Sequence, residues 1–295
     1  MHLALPLLHR KTLRSAALLA ASALLLQACS TVKLAYHQAP QLVQWQINSY
    51  LDLSQDQAER VRGRLDELHQ WHRDTMLPRH AALLQQLQRQ LPESLSPEQA
   101  CSAYAQVRGQ VDAVLAQAEP SLAWLATQLT DAQIRHLQKK QARSNADWKK
   151  EWLDVAPEQL REHRFKQLTG RAEGIYGPLD APQKAALRSY IAQSSFDAQR
   201  TYAERLRRQQ DLVQTLESVA RNRTDTDQAR RLVRGYLERL NQSPDAAYQR
   251  YARTLVQEGC EGFARVHEAM APAQRSRAVQ SIKGYADDFL VLAAR

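Results

Sequence analysis

Apolar residues recur every three or four positions along most of the chain, which is the spacing of one face of an α-helix. The longest such stripe runs from Asp180 to Ala220 and predicts one long helix there. A second stripe over residues 130–152 predicts another. β-branched residues are few, and no stretch alternates between apolar and polar positions. We therefore expect an all-α protein, an elongated bundle of several long helices without a sheet.

A five-residue pattern marks the start of several predicted helices. Its first copy is Leu53-Ser54-Gln55-Asp56-Gln57. The Ser54 side chain can accept from a free N–H of the first turn while Gln57 reaches back to the N–H of Ser54, which makes a capping box. Further copies stand at 95–99, 129–133 and 179–183, with a degenerate one at 270–274. With similar signals nearby, they predict helices that begin near 54, 96, 130, 157, 180, 225, 244 and 271.

Proline and glycine place the predicted breaks between helices. We expect loops at 118–120, 170–178 and 221–226, with a weak domain boundary near 170–180. A first helix is predicted from Gln41 to Leu51, and the aromatic residues Tyr36, Trp45 and Tyr50 lie in or near it. These rings suit either a membrane interface or, as the simpler interpretation, the core beneath a short helix. The predicted parts are a leader (1–28), a tether (29–40) and one all-α domain (41–295).

The first residues have the pattern of an export signal. A basic head precedes an apolar run over residues 16–25, which is too short to span a bilayer comfortably. The run ends in Leu26-Gln27-Ala28-Cys29. This start resembles a bacterial lipoprotein signal peptide, with those four residues as the lipobox. The resemblance implies cleavage after Ala28, and a diacylglyceryl group and an N-acyl chain such as palmitate on Cys29. An ordinary secretory leader or a short membrane anchor is the alternative.

The resemblance to a lipoprotein leader predicts the location of the protein. Location and net charge together indicate which partners are expected. Ser30, in place of an aspartate after the cysteine, resembles the pattern that is sent on to the outer membrane. The chain has 40 basic and 31 acidic residues, and removing the three basic ones of the leader leaves a net charge of about +6. Because an exported protein does not meet nucleic acid, acidic lipid headgroups and other anionic envelope polymers are the plausible anionic partners.

Two resemblances to known families extend beyond the leader. Residues 34–40 (Leu-Ala-Tyr-His-Gln-Ala-Pro) and then Tyr50-Leu51-Asp52-Leu53 resemble a family of uncharacterised proteobacterial lipoproteins. That family implies no activity. The copy of the capping pattern at 129–133 is also similar to the Leu-Thr-x-x-Gln motif of helical periplasmic stress chaperones. This second resemblance implies a chaperone-like role, although helix capping by itself explains the motif.

Two polar clusters are candidate ligand sites, and a solvated helix face is the simpler interpretation of both. His69 and His72 lie three residues apart with Asp66 on the same predicted face, and His80 follows. Imidazoles at that spacing can share a metal, but we assign none. Arginine side chains can hold an anion with two donors each. The candidate anion-binding residues are Arg205, Arg207, Arg208, Arg230 and Arg231.

The common catalytic motifs of hydrolases, nucleotide-binding enzymes and metalloproteases are missing from the sequence. Glu93-Ser94 and Glu217-Ser218 resemble the Glu-Ser pair of lytic transglycosylases. The residues around them do not follow that motif, and Glu217 falls inside a predicted long helix. We therefore predict no catalytic residue and no cofactor besides the covalent lipid, with a peptidoglycan-cleaving hydrolase as the alternative.

Two cysteines remain once Cys29 is acylated. Cys101 and Cys260 form an even pair in an oxidising compartment, and neither lies in a Cys-x-x-Cys or histidine-rich setting. We expect a disulfide between them, with the Cα atoms within about 7 Å of each other. Two buried free thiols are the alternative.

The sequence therefore predicts a lipoprotein of the outer membrane that faces the periplasm. Its helical domain is expected to act as a binding, chaperone-like or structural module of the envelope, with a protein or an envelope polymer as partner. The lipid anchor supplies the contact with the membrane, and no nucleic acid is expected.

Overall fold

A computed structural model describes residues 31–294, and every regular element in that range is helical. The helices are α1 (Thr31–Leu51), α2 (Gln55–Trp71), α3 (Leu77–Gln90), α4 (Pro97–Gln128), α5 (Asp131–Trp152), α6 (Pro157–Tyr176), α7 (Ala181–Gln193), α8 (Ala198–Ala220), α9 (Thr226–Asn241), α10 (Ala246–Glu268) and α11 (Pro272–Ala293). One π-helical segment, His72–Met76, joins α2 to α3. The predicted all-α class is confirmed. No helix in the described range is long and apolar enough to cross a membrane.

Each copy of the capping pattern starts a helix as predicted. Ser54, Ser96, Thr130 and Asp180 each accept from the backbone N–H of the glutamine three residues on, and each glutamine accepts from the N–H of its cap. Ala271 has no side-chain acceptor, so α11 keeps only the half of the box that Gln274 supplies. The sequence predicts these helix starts because the cap and its glutamine are only three residues apart.

Two clusters of buried apolar side chains support residues 40–294. The first, which includes Leu129 and Ile134, lies among α2, the end of α4, α5, α8 and α9. The second, which includes Phe165 and Ala278, lies among the end of α3, α6, α7, α10 and α11. Helix α4 supplies its C-terminal turns to the first cluster and also packs against α10. Residues from Pro40 onward form one compact unit, and the boundary predicted near 170–180 falls inside it.

The predicted helix over 180–220 is wrong, because the chain leaves the helical conformation at 194–197. The carboxylate of Glu258 accepts from the N–H of Ser195 at 2.9 Å. The hydroxyl of Tyr251 accepts from the N–H of Asp197 at 2.8 Å. These distant side chains replace the bonds that a continuous helix would make, and Asp197 then caps α8. Local periodicity could not reveal partners more than fifty residues away.

Two prolines that predicted helix ends lie inside continuous helices. The predicted start of the first helix at Gln41 is wrong, because α1 begins at Thr31 and continues through Pro40. The predicted break at 118–120 is wrong as well, because α4 continues through Pro120. A proline removes one helical donor, and the carbonyl that loses it can be hydrated when that side of the helix is wet. Helix α6 likewise continues through most of the predicted loop and ends at Gly177, whose φ is 83°. Helix α10 starts after Asp245 and not at 244, since Asp245 is its cap.

Candidate functional site

Helices α4 and α10 are joined by the Cys101–Cys260 disulfide, with the two Cα atoms 5.3 Å apart. This confirms the predicted pairing, and the alternative of two free thiols is wrong. The bond links residues 159 positions apart. It fixes the two helices side by side at the wall of an apolar groove.

This α4–α10 groove encloses about 560 Å³, which is in the range of ligand sites in proteins. Its floor is supplied by α3, α6 and α11, and its walls by α4 and α10. Lining side chains include Leu87, Leu91, Leu95, Tyr104, Val107, Ile175, Leu255, Phe263 and Ile282. None of the lining residues carries an ionised side chain at neutral pH. The groove therefore suits an uncharged, apolar occupant.

The rim of the groove exposes large apolar side chains to solvent. Tyr104 is 46% exposed, Val107 47% and Phe263 41%. Val111, one turn beyond Val107 on the same helix, is 43% exposed and extends the apolar surface past the groove. Large apolar side chains that are exposed next to one another indicate an interaction surface.

A buried pair of polar side chains supports the floor of the groove. The Tyr176 hydroxyl lies 2.8 Å from Nδ1 of His267, and Nε2 of His267 lies 2.8 Å from the carbonyl of Glu93. Burial raises the pKa of Tyr176 to about 12 and lowers the pKa of His267. The neutral arrangement has Tyr176 donating to Nδ1 and Nε2–H donating to Glu93, so the pair anchors the turn after α3. No local sequence pattern indicates these contacts, because the bonded residues are 91 and 174 positions apart.

Four capping glutamines pair across helices in what we call glutamine clasps. In the first clasp, Nε2 of Gln133 donates to Oε1 of Gln57 at 2.7 Å, and Nε2 of Gln57 donates back at 3.3 Å. Nε2 of Gln57 also donates to the carbonyl of Gln128 just before α5, and Nε2 of Gln133 donates to the carbonyl of Asp52 just before α2. The capping pattern therefore does more than start helices.

The second clasp repeats this arrangement between α7 and α11. Nε2 of Gln183 donates to Oε1 of Gln274 at 2.5 Å, and Gln274 donates back at 3.0 Å. Their remaining donors reach the carbonyls of Ala269 and Pro178. Another glutamine of the capping pattern, Gln99, is exposed at the groove, and within residues 31–294 no second glutamine clasps it.

Three of the candidate anion-binding arginines lie on α8 and contact protein groups. Arg207 and Arg208 each donate to the buried carboxylate of Glu204 at 2.8 Å. Arg205 donates to the side chain of Asn145 on α5 at 2.7 Å. Burial opposes the ionisation of Glu204, but the hydrogen bonds from the two arginines outweigh it and hold its pKa below the usual range. These charges are thus largely balanced within the fold.

The other two candidate arginines lie on α9, so the structure does not bring all five together. Arg230 lies 3.7 Å from Glu119, which also accepts two hydrogen bonds from Arg234 at 2.8 Å. The bond from Arg234 is the main reason that the pKa of Glu119 is lowered. Arg231 is exposed on the same helix.

Two of the histidines near the π-helical segment are in contact, but the described side chains around them do not form a metal site. Nε2 of His72 lies 3.3 Å from Nε2 of His80, whose other ring nitrogen bonds the side chain of Gln110. Burial, and then the neighbouring His80 and His69, lower the pKa of His72 to about 4. In the described part of the chain, no three His, Cys, Asp or Glu side chains are placed to share a metal ion.

Residues 49–250 match a protein family described as a family of unknown function (DUF6279). The chain belongs to this family. No curated protein and no solved structure matches the chain. The segment matched to DUF6279 contains the first glutamine clasp and all of α4, and it ends within α10 before Cys260. The lipobox, Leu26 to Cys29, lies outside the described residues.

Proposed function

We propose that this DUF6279 protein is a lipid-anchored protein of the cell envelope that binds the apolar face of a helix from a partner protein. The observation that carries the proposal is the uncharged α4–α10 groove with its exposed rim. Amphipathic helices bind such grooves through side chains one or two turns apart. The function is therefore recognition and not catalysis.

A helix fits the dimensions and the chemistry of the groove. Tyr104, Val107 and Val111 follow one another at intervals of three and four residues, which is the spacing of one helix face. From Gln99 to Val107 the groove accompanies α4 for about 12 Å, or two turns. Gln99 places an exposed side-chain amide at one end, with its Oε1 bonded to the N–H of Ser96, and both glutamine clasps show such an amide bonded to the start of a second helix. An incoming helix start with a capping glutamine would complete the same arrangement.

The carboxylates give no support to the alternative of a peptidoglycan-cleaving hydrolase. A general acid of that class needs a carboxyl whose pKa is raised, placed in a cleft. Among the described residues no carboxylate lines the groove, and each carboxylate with a resolved shift has a lowered pKa. Glu93 and Glu217, of the two Glu-Ser pairs, are both exposed.

The chaperone-like resemblance gains nothing from the placement of its motif. Leu129 is 1% exposed and Gln133 is 8% exposed, because both take part in the core and the first clasp. Because these two side chains are buried, they are not accessible to an unfolded client protein. The partner of the groove is accordingly expected to be a helix with a defined apolar face.

Binding can be measured with a defined probe, a fluorescent uncharged peptide about five turns long. The peptide begins Leu-Ser-Ala-Ala-Gln and then carries leucine at intervals of three and four. We expect the purified protein to bind it, and Val107→Lys to weaken binding about tenfold because a charge would be buried against the peptide. Leu206→Lys is the matched control, since Leu206 is 40% exposed on α8 away from the groove lining.

Two outcomes would overturn the helix-binding proposal. One is equal weakening of peptide binding by Val107→Lys and Leu206→Lys, which would place the binding site elsewhere. The other is saturable binding of palmitate in the groove without binding of the peptide, which would indicate an acyl-chain site.

The lipid anchor is tested separately on protein extracted from membranes. Intact mass is expected to show the loss of residues 1–28 and the addition of acyl groups at Cys29. Cys29→Ala is expected to prevent both changes. An unaltered mass and an unaltered membrane fraction in that variant would contradict the anchor while leaving the groove untouched.

A further inference from the structure

Helix α1 carries an apolar face that the rest of the described chain does not cover. Leu42 is 56% exposed, and Trp45, three residues further along the same face, is 67% exposed. The opposite side of the helix, with Ile47 and Tyr50, packs against the first core cluster. Core packing was the simpler interpretation of Trp45, and the structure corrects it: this tryptophan is held on the surface.

Positive charge lies next to this apolar face. Lys140 of α5 lies 3.4 Å from the hydroxyl of Ser49, and His136 lies 3.2 Å from the carbonyl of Ser49. Ser49 is one turn after Trp45, and residues four apart share a helix face. Lys139 and Arg143, which flank Lys140 on α5, are exposed. An apolar strip with a tryptophan and a basic border is typical of surfaces that sit at the headgroup level of a membrane.

The position of the face in the chain identifies its occupant. Leu42 comes thirteen residues after Cys29, so acyl chains on Cys29 would bring this part of α1 to a bilayer. We propose that the Leu42–Trp45 face and the basic residues of α5 form a seat for an anionic lipid surface. The seat rests on the lipid anchor of the proposed function only for its delivery to the membrane, because its contacts are made by α1 and α5. It is separate from the α4–α10 groove.

The seat has a mechanical consequence for the groove. A single acylated residue leaves a protein free to turn about its attachment, whereas a second contact with the bilayer restricts that rotation. Two signals, an acyl group and a basic apolar patch, also bind membranes more firmly than one. The seat would therefore hold the domain in one orientation at the membrane.

Tryptophan fluorescence in vesicles tests the seat. The lipidated full-length mature protein is reconstituted in vesicles of phosphatidylcholine and phosphatidylglycerol with brominated acyl chains, which quench tryptophan on contact. We expect Trp45→Phe to remove more than half of the quenching seen in the wild type. Trp124→Phe is the matched control, because Trp124 is half-buried beneath Arg64, and it is expected to retain the quenching.

The charge of the surface is tested in the same assay. Replacing phosphatidylglycerol by phosphatidylcholine is expected to reduce the Trp45 signal, and the double variant Lys139→Gln/Arg143→Gln is expected to reduce it to a similar extent. Loss of the anionic preference in the double variant would show that these residues supply the attraction.

Three results separate the seat from its alternatives. Equal quenching in the wild type and Trp45→Phe would overturn the seat. A dimer that Trp45→Phe dissociates, with no quenching by brominated lipid, would overturn it in favour of a second copy as occupant. If intact mass shows no acyl groups but the protein still co-sediments with anionic vesicles and Trp45 is quenched, the seat stands and the anchor is refuted.

Discussion

Glu204 is a buried carboxylate in the middle of the most arginine-rich part of the chain. It is 5% exposed and accepts from Arg207, Arg208 and the hydroxyl of Ser243. The sequence suggests that these arginines form a solvated helix face, but two of them stabilise a buried carboxylate inside the fold. The carboxylate keeps its charge because the guanidinium groups replace the water that burial removes.

Glu204→Gln is expected to lower the free energy of unfolding by about 3 kcal/mol, because two partly buried guanidinium groups would lose their counter-charge. Urea unfolding monitored by circular dichroism measures the effect. Glu217→Gln on the same helix is the control, since Glu217 is exposed, and it should change stability by less than about 0.5 kcal/mol. Equal effects of the two variants would show that the hydrogen bonds to Glu204 add nothing to the free energy of unfolding.

At the scale of elements, the glutamine clasps connect helix starts that are far apart in sequence. The first joins α2 to α5 over 76 residues, and the second joins α7 to α11 over 91 residues. Each clasp lies beside one of the two core clusters, next to Leu129 in the first and Met270 in the second. Backbone donors and carbonyls at buried helix starts need partners, and these amides supply them reciprocally.

Gln183→Ala is expected to destabilise the protein by about 2 kcal/mol. Loss of the hydrogen bond from the N–H of Asp180 accounts for about 1 kcal/mol, and the rest arises because Gln274 and the carbonyl of Ala269 lose their buried partner. Gln99→Ala removes the equivalent bond from the N–H of Ser96 without breaking a clasp and should cost about half as much or less. The double variant Gln183→Ala/Gln274→Ala, in a thermodynamic cycle, is expected to show a coupling above about 0.5 kcal/mol, and strict additivity would contradict the clasp.

At the scale of the whole molecule, the disulfide closes a loop over 159 positions. On the chain-entropy model its loss costs at most about 5 kcal/mol, since the unfolded chain regains the freedom that the bond removed. Cys101→Ser/Cys260→Ser is expected to lower the unfolding midpoint in urea while leaving the helical content unchanged. Titration of the denatured, unreduced mature protein should find no reactive thiol from this pair. Two thiols per chain would contradict the bond.

Acid is expected to destabilise the protein in two stages. Burial keeps His72 and His267 neutral in the folded state, with the pKa of His72 near 4 against 6.5 when unperturbed. The unfolded chain therefore binds more protons, and stability is lost as the pH falls from about 6.5 towards 4. Glu119 and Glu204 have lowered pKa values, so their contribution is lost as the pH falls below about 4.5.

Urea midpoints at pH 7.5, 5.5 and 4 measure this dependence. His72→Gln cannot take up a proton, so the difference between its midpoints at pH 7.5 and 5.5 should be smaller than in the wild type. Lys139→Gln serves as a control and should leave that difference unchanged. A wild-type midpoint that is constant from pH 7.5 to 5.5 would contradict the first stage.

The sequence by itself determined the features that depend on neighbours along the chain. Apolar spacing determined the helical class, because a helix buries one face at a fixed period. Ser54, Thr130 and Asp180 determined where helices begin, because a cap and its glutamine are three residues apart. The pairing of Cys101 with Cys260 also followed, since only these two cysteines remain beside Cys29.

Only the tertiary structure decided the features that depend on distant partners. The break at 194–197 requires Glu258 and Tyr251, and the clasps require a second helix start. The exposure of Trp45 depends on what packs against α1 and what does not. The α4–α10 groove is formed by five helices that are scattered along the chain. Contacts of this kind have no local pattern, because packing brings together residues whose separation along the chain is arbitrary.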